Sequence, residues 1–342
     1  MANPYEGINF WIYVPNKGAA VFFLIAFLIS AWSATVSHYK FFKVTGLFML
    51  AGLLYVVGFG LRLMGAFGNY DELVPFILSV ALIYVSPPLL SLADYEILGR
   101  VFHYVPYLSP MDPARVLSTF GFLSLIIEGV NGVAASLIAN PETNPQIGTG
   151  LMWTALVLQF IIIISFLALA GRFHWRCAQA GLARARAIRR PLIMMYVSVT
   201  LILVRTIYRG VEHSVAAVAS IEWPFCVFEA SLMLINMYMF NIWHPGRYMP
   251  VDIRTYLARD GVTELKAPER HDNRLVILKV LDPFHISEMC HGRDKSGDKV
   301  YQEFDEYGNE LALSTPVGLH QTRRRVAEDE QQGLESHPRE LV

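Results

Sequence analysis

Thirteen residues carry most of the chemistry that this chain offers: Leu201-Ile202-Leu203-Val204-Arg205-Thr206-Ile207-Tyr208-Arg209-Gly210-Val211-Glu212-His213. On a helix, Arg205, Tyr208, Arg209 and Glu212 fall on one stripe. They sit in an apolar segment that begins at Pro191. If that helix crosses a membrane, a guanidinium near the bilayer centre costs ~2.5–3.5 kcal/mol even on the lenient insertion scale. The stripe must then face a protein interior or a wet cavity, and the rest of the chain must supply that interior.

The composition supports a membrane protein. The 342 residues are 54% hydrophobic and 17% charged, with a mean hydropathy of +0.38, which is too apolar for an ordinary soluble domain. The net charge of −1 hides a split. Residues 1–250 carry 15 Lys+Arg against 11 Asp+Glu, and residues 251–342 carry 13 against 18. An apolar, slightly basic body therefore precedes a polar, acidic tail, a pattern without the basic patch of a nucleic-acid-binding protein. Cys177, Cys226 and Cys290 are too few and too scattered for a disulfide framework.

Seven apolar runs are long enough to span: 18–37, 44–64, 73–98, 116–138, 148–170, 191–212 and 221–243. The expected fold is an all-α membrane protein, a seven-transmembrane-helix bundle over 18–246. The first run has 20 residues without a charge, longer than the 7–15-residue core of a signal peptide, and reads as a retained span. Glycines 46, 52, 58 and 60 in the second predict close helix approach. Pro87-Pro88 predicts a kink or local unwinding in the third.

Loops one, three and five hold Lys40 and Lys43, then Arg100 and Arg115, then Arg172, Arg176, Arg184, Arg186, Arg189 and Arg190; the even loops hold none. The positive-inside rule then predicts residues 1–17 outside and 247–342 in the cytoplasm, with Arg323 to Glu330 disordered. The arginine-rich loop, read as the longest internal loop, serves first as the topology signal.

Depth follows from the 1.5 Å rise per residue. Arg205 falls ~21 Å above the cytoplasmic start of span six, Glu229 ~12 Å below the outer surface, and Glu128 ~18 Å above the inner start of span four. With Asn131, these define a polar chamber in the outer half, and Glu229 is the best-placed partner of Arg205. Arg62, Arg209, Glu212 and Glu222 fall near the outer interface as charge pairs or gates. Asp94 and Glu96 fall at the inner end of span three. Intramembrane charges can hold helices together or line a path. The sharper expectation is a translocation path with stations at Glu128, Asn131, Gln159, Arg205, Tyr208, Glu229, Asp94 and Glu96, used by an amphiphilic, cationic ligand.

Other chemistry is less well served. His38, His103, His174 and His244 fall at the cytoplasmic edge, but no helical pair has metal-ligand spacing, so neither a metal nor another cofactor is expected. No phosphate-binding loop of the Gly-x-x-x-x-Gly-Lys-Ser/Thr type occurs, so transport would be gradient-driven, energy-independent or partnered.

Several stretches together resemble a known family. They are Tyr95-x-x-Leu98-Gly99-Arg100, Leu158-Gln159, Phe173-His174-x-Arg176, the Arg205–Glu212 stripe, Glu222-Trp223, Phe228-Glu229 with Met233, and His244-Pro245-Gly246-Arg247-Tyr248-x-Pro250. From Tyr13 to Pro250 the chain resembles the fungal lipid-translocating exporter family. That family includes seven-helix proteins of 7-aminocholesterol resistance, sphingoid-base efflux and protoporphyrin uptake. Three features depart from its pattern: Tyr55 stands where a glutamate is usual, Glu128-x-x-Asn131 replaces an Asp and Gln in span four, and Asp94 and Glu96 flank Tyr95.

The resemblance implies a non-enzymatic, multi-pass protein of the fungal plasma membrane that moves, or confers tolerance to, amphiphiles such as sphingoid bases or sterol-like toxicants. Its expected partners are membrane lipids and the amphiphilic substrate, with a homo-oligomer or a tail-bound cytoplasmic protein left open. The alternatives are a seven-helix lipid-sensing receptor and, less well supported by ligand residues, a membrane-embedded lipid hydrolase.

Overall fold

A computed structural model describes residues 15–38, 42–67, 73–139, 144–250, 255–257 and 264–266. It contains seven helices long and apolar enough to cross a membrane. Six are single helices: α1 (Lys17–His38), α2 (Phe42–Ala66), α3 (Leu73–Tyr104), α4 (Pro113–Ala139), α5 (Pro145–Gln179) and α6 (Arg186–Ser214). After a one-turn helix, α7 (Ala216–Ala219), the seventh span is built from α8 (Glu222–Pro224), a π-helical segment (Phe225–Ser231) and α9 (Leu232–Ile242). The predicted disorder at 323–330 and most of the N-terminal 17 residues lie outside the described residues.

Consecutive helices pack against one another from α1 to α6, and α9 closes the bundle by packing on both α6 and α1. Helix α3 also reaches α6, so it lies on an interior axis. Span six is the most enclosed, with 56% of its apolar window buried, against 17% for span four. The pattern on α6 explains the difference. Ile193, Val197, Val204, Ile207 and Val211 form an exposed apolar stripe suited to lipid, while Met195, Ser198, Ile202, Arg205 and Tyr208 are buried.

The expected close approach of α2 occurs. A Cβ at Gly58 would come within 2.8 Å of Ile83, and Ser79 on α3 donates to the Gly58 carbonyl at 2.9 Å. A Cβ at Gly52 would come within 2.7 Å of Met237 and 3.1 Å of Ala31. These small residues let α1, α2 and α9 meet without a side chain between the backbones. Aromatic rings fill the adjoining space: Phe27 stacks on Tyr55 at 4.3 Å and on Phe59 at 5.4 Å.

Three expectations from the sequence are corrected. Several helices run past the ends of their apolar runs: α3 to Tyr104 rather than 98, α4 from Pro113 rather than 116, α5 to Gln179 rather than 170, and α6 from Arg186 rather than 191. Hydropathy marks where lipid contact ends, whereas a helix continues while its backbone bonds are made; its long arginines keep their heads in the aqueous edge. The arginine-rich segment is consequently not a long loop. Arg172 and Arg176 are on α5, Arg186, Arg189 and Arg190 are on α6, and a short turn with Arg184 and a left-handed Gly181 (φ 74°) joins them. Finally, of the two outcomes expected at Pro87-Pro88, a kink or local unwinding, the unwinding does not occur: α3 is helical through both prolines, and the hydroxyls of Ser86 and Ser91 donate to carbonyls four residues earlier in this stretch.

Two elements finish the end of the bundle at which α3 and the seventh span stop. His244 Nδ1 accepts from the Gly246 N–H at 3.0 Å, so the His-Pro-Gly motif caps the end of span seven. A short antiparallel hairpin, β1 (Thr255–Leu257) and β2 (Glu264–Lys266), follows, and Tyr104 at the end of α3 donates to Glu264 at 2.9 Å.

Candidate functional site

Buried charge gathers along the inner faces of α2, α3, α6 and the seventh span. Its centre is one ion pair: Arg205 Nε donates to Glu229 Oε1 at 2.6 Å, with the side chains 5% and 0% exposed. The structure thus joins the two residues whose depths matched in the sequence. Losing either partner would leave an uncompensated buried charge. Glu229 is presented by the π-helical segment, in which the Ser231 hydroxyl donates to the carbonyl of Cys226, five residues back. No composition or spacing signal in the sequence announces this wider turn.

Two further pairs lie toward the opposite end from the hairpin. Arg209 Nη1 donates to Glu212 at 2.5 Å, its guanidinium lies 4.0 Å from the centre of the Tyr84 ring, and Nη2 is 3.2 Å from His213 Nε2. The Tyr208 hydroxyl donates to the same carboxylate at 3.3 Å, while its ring stacks on Phe228 at 5.4 Å. Arg62 pairs with Glu222 at 3.0 Å and covers Phe225 at 4.5 Å. Glu222 also accepts from the Asn16 N–H at 2.7 Å, tying the start of α1 to the seventh span. Arg62, Arg209, Glu212 and Glu222 therefore form two separate pairs rather than one array.

Glu128 and Asn131 occupy the α4 side. Glu128 is half-buried, the Asn131 side chain bonds to its carboxylate, and the charges of both Arg205 and Arg209 act on it. It thus differs from Glu229: it feels the same arginines but remains partly open. The glycine between these two residues in sequence, Gly129, has open space where a Cβ would be.

The other expected stations do not form one path. Asp94 and Glu96 are two positions apart on a helix, which turns their side chains to nearly opposite sides. Asp94 is fully buried and accepts from the Ser198 hydroxyl of α6 at 2.6 Å. It lies ten residues, ~15 Å, before the end of α3, which runs on past the apolar run to Tyr104. Glu96 pairs instead with Arg100 at 3.2 Å on the partly exposed side. Gln159 is half-buried on α5 and is not hydrogen-bonded to the cluster.

Three contributors were not singled out from the sequence as site residues. Tyr55 is fully buried, its hydroxyl has no hydrogen-bond partner, and it lies within the electrostatic reach of both Glu229 and Arg205. Asn236 is fully buried with neither amide atom partnered, and Ser198 holds Asp94. The available signal was spacing: Ser198, Arg205 and Glu212 recur every seven residues on α6, and Glu222, Glu229 and Asn236 do so on the seventh span. Among the described residues, no three His, Cys, Asp or Glu side chains gather as a metal site.

The comparisons with known proteins give the chain a family. The family model described as "RTA1 like protein" matches residues 48–252, which hold all of these buried charges. The chain is 39% identical over 302 residues to the lipid-translocating exporter-like protein RTA1 of Leptosphaeria maculans, covering 80% of this chain and 58% of that protein. It is 33% identical over 256 residues to the protein of the same name from Ajellomyces capsulatus, covering 70% and 80% respectively. A more distant relative, at 23% identity over 285 residues, is protoporphyrin uptake protein 1 of Saccharomyces cerevisiae, covering 71% of this chain and 94% of that protein. The match thus spans little more than half of the Leptosphaeria relative. No solved structure matches the chain significantly. Seven apolar helices, an intramembrane arginine stripe answered by Glu229 and these matches together make the chain a member of the RTA1-like protein family.

Proposed function

We propose that this protein moves an amphiphilic, lipid-like molecule across the fungal plasma membrane, with the N-terminus outside and the C-terminus in the cytoplasm. The observation that carries this reading is Glu128. It is an intramembrane carboxylate, half-buried, placed beside two arginines that are already bonded to other acids. An acid held only for structure is expected to be sealed and bridged, as Glu229 is. A partly open acid on the least enclosed span suits the cationic head of a single-chain amphiphile, such as a sphingoid base, whose tail stays among the exposed apolar side chains of α4. The names of the relatives, lipid-translocating exporter-like and protoporphyrin uptake, support the transport of amphiphiles as a class. Export is the direction we favour, on the same relatives.

The test is translocation by the purified full chain in liposomes, using labelled sphingoid bases and a neutral lipid of equal chain length. Movement of the cationic probe should fall at least ~10-fold in Glu128→Gln, the loss of a charge-assisted contact of ~1.5–3 kcal/mol, while the folded fraction is unchanged. Unchanged movement in that variant would sink the role of Glu128. Binding without movement would favour a receptor, and product formation an enzyme.

A further inference from the structure

Among the described residues, five buried side-chain atoms have no hydrogen-bond partner: Tyr55 Oη, Glu229 Oε2, Asp94 Oδ1, and Asn236 Nδ2 and Oδ1. They separate into two groups. Tyr55 and Glu229 belong to the Arg205 pair. Asp94 and Asn236 belong to a second place, roughly 10 Å nearer the hairpin end. Ser198, the partner of Asp94, is seven residues before Arg205 on α6, while Asn236 is seven residues after Glu229 on the span running the other way. Both therefore lie at the same depth, on the same side of the ion pair.

The direction of Asn236 can be read from its neighbours on α9. Tyr238 and Asn241 bond to carbonyls of α1, and Met237 and Phe240 meet α2 at Gly52 and Phe48. Asn236 lies further round the helix, beyond the α2-facing side, toward the interior shared with α6 and α3. It is 0% exposed, as are Asp94 and Ser198.

The charge balance here differs from that of the bridged acids, and also from that of Glu128, which stays partly open and feels the charges of two arginines. Glu222, Glu212 and Glu229 each have an arginine, and Glu96 has Arg100. Among the described residues Asp94 has none. The groups the structure sets against it are the Ser198 hydroxyl from α6 and, beside it in sequence, Tyr95, whose hydroxyl is turned to Ser124 of α4 at 3.4 Å; Asn236 lies at the same depth on α9 without a hydrogen bond to it. The nearest arginine on α6, Arg205, is a further seven residues along and already holds Glu229. A sealed carboxylate without a cation requires one, and a proton is the one small enough to reach a site that no lipid head can enter. The amide serves both protonation states: its N–H can donate to the carboxylate, and its oxygen can accept from the acid.

We propose that Asp94, Ser198 and Asn236 form a proton-binding site that couples movement of the amphiphile to a proton gradient. The proton is taken from water on one face at Asp94 Oδ1, while Oδ2 keeps the Ser198 hydrogen bond. It is released to water on the other face, so no bond other than O–H forms or breaks. This inference rests on the transport reading above and supplies its energy source.

The experiment uses the full chain in liposomes with a trapped pH dye and a fluorescent long-chain amine as probe, at clamped membrane potential. An imposed pH gradient should accelerate the wild-type chain severalfold, with proton flux in step with the probe. Asp94→Asn should lose both the acceleration and the proton flux while keeping slow, gradient-independent movement. Asp94→Glu should recover part of the coupling, and Ser198→Ala should keep it with a displaced pH profile. Equal rates with and without the pH gradient, proton flux that survives in Asp94→Asn, or a sodium gradient that replaces the proton gradient would each overturn the proposal. If the wild type moves no probe, the transport reading fails by itself, and infrared titration of the purified protein then decides the site. A carboxylic-acid band that appears on acidification and is absent from Asp94→Asn supports it; the same band in both proteins, or in neither, overturns it.

Discussion

The two halves of the bundle treat buried charge differently. Toward the end away from the hairpin, three arginines meet three glutamates: Arg62 with Glu222, Arg209 with Glu212 and Arg205 with Glu229. Every pair is neutral, and the Phe225 and Tyr84 rings lie against the guanidinium groups of Arg62 and Arg209. Toward the hairpin, Asp94 meets the Ser198 hydroxyl and, among the described residues, no arginine. The first arrangement fixes helices, because each charge is costly to expose once its partner is in place. The second leaves one charge to be balanced from outside the chain. Structure and coupling therefore occupy different depths, and Glu128 stands beside the first group without being bridged by it.

That contrast can be broken most forcefully at its centre. Arg205→Met should destabilise the protein by ~3–5 kcal/mol, read as a lower midpoint of thermal unfolding in detergent, because Glu229 is left buried and unpaired. Adding Glu229→Met should restore most of the loss; if it does not, the pair is more than a structural lock. Arg62→Ala should cost less, ~1.5–3 kcal/mol, as Glu222 keeps the Asn16 N–H and sits closer to water. Gly52→Leu should cost ~1–3 kcal/mol by pushing α2 from Met237 and Ala31, without changing the charge of either half. Glu96→Gln should change stability by no more than ~1 kcal/mol and leave gradient dependence intact, since its pair with Arg100 is partly exposed. A large effect on coupling there would move the proton site from Asp94 to its neighbour.

Much of this was legible in the residues. Seven apolar runs gave seven spanning helices, and opposite chain directions with equal depths picked out Arg205 and Glu229. The helix ends were not legible, because α5 and α6 continue as helices where arginines end the apolar runs. Asp94 is legible as an acid near the end of the third apolar run, but its Ser198 partner on α6 is a matter of packing. Tyr55 and Asn236 are barely legible in the sequence, where little sets them apart from the other tyrosines and asparagines of the spans. What makes them notable is the absence of a partner, and only packing can reveal that. Tyr55 had been marked only as a departure from the family's glutamate, and it proves to stand beside the central ion pair.

The π-helical segment also has a geometric consequence. Glu222 and Glu229 are seven residues apart, and on an unbroken α-helix that spacing would aim both at one neighbour. A π turn takes up more residues than an α turn, so the second glutamate is swung round relative to the first. One acid thereby reaches Arg62 on α2 and the other Arg205 on α6, so a single strand of chain clasps two helices. Relaxing this segment to an ordinary helix, with every residue kept, would send both acids to the same side. The extra residue in that turn works as a fixed swivel, setting which helices the seventh span can hold at once.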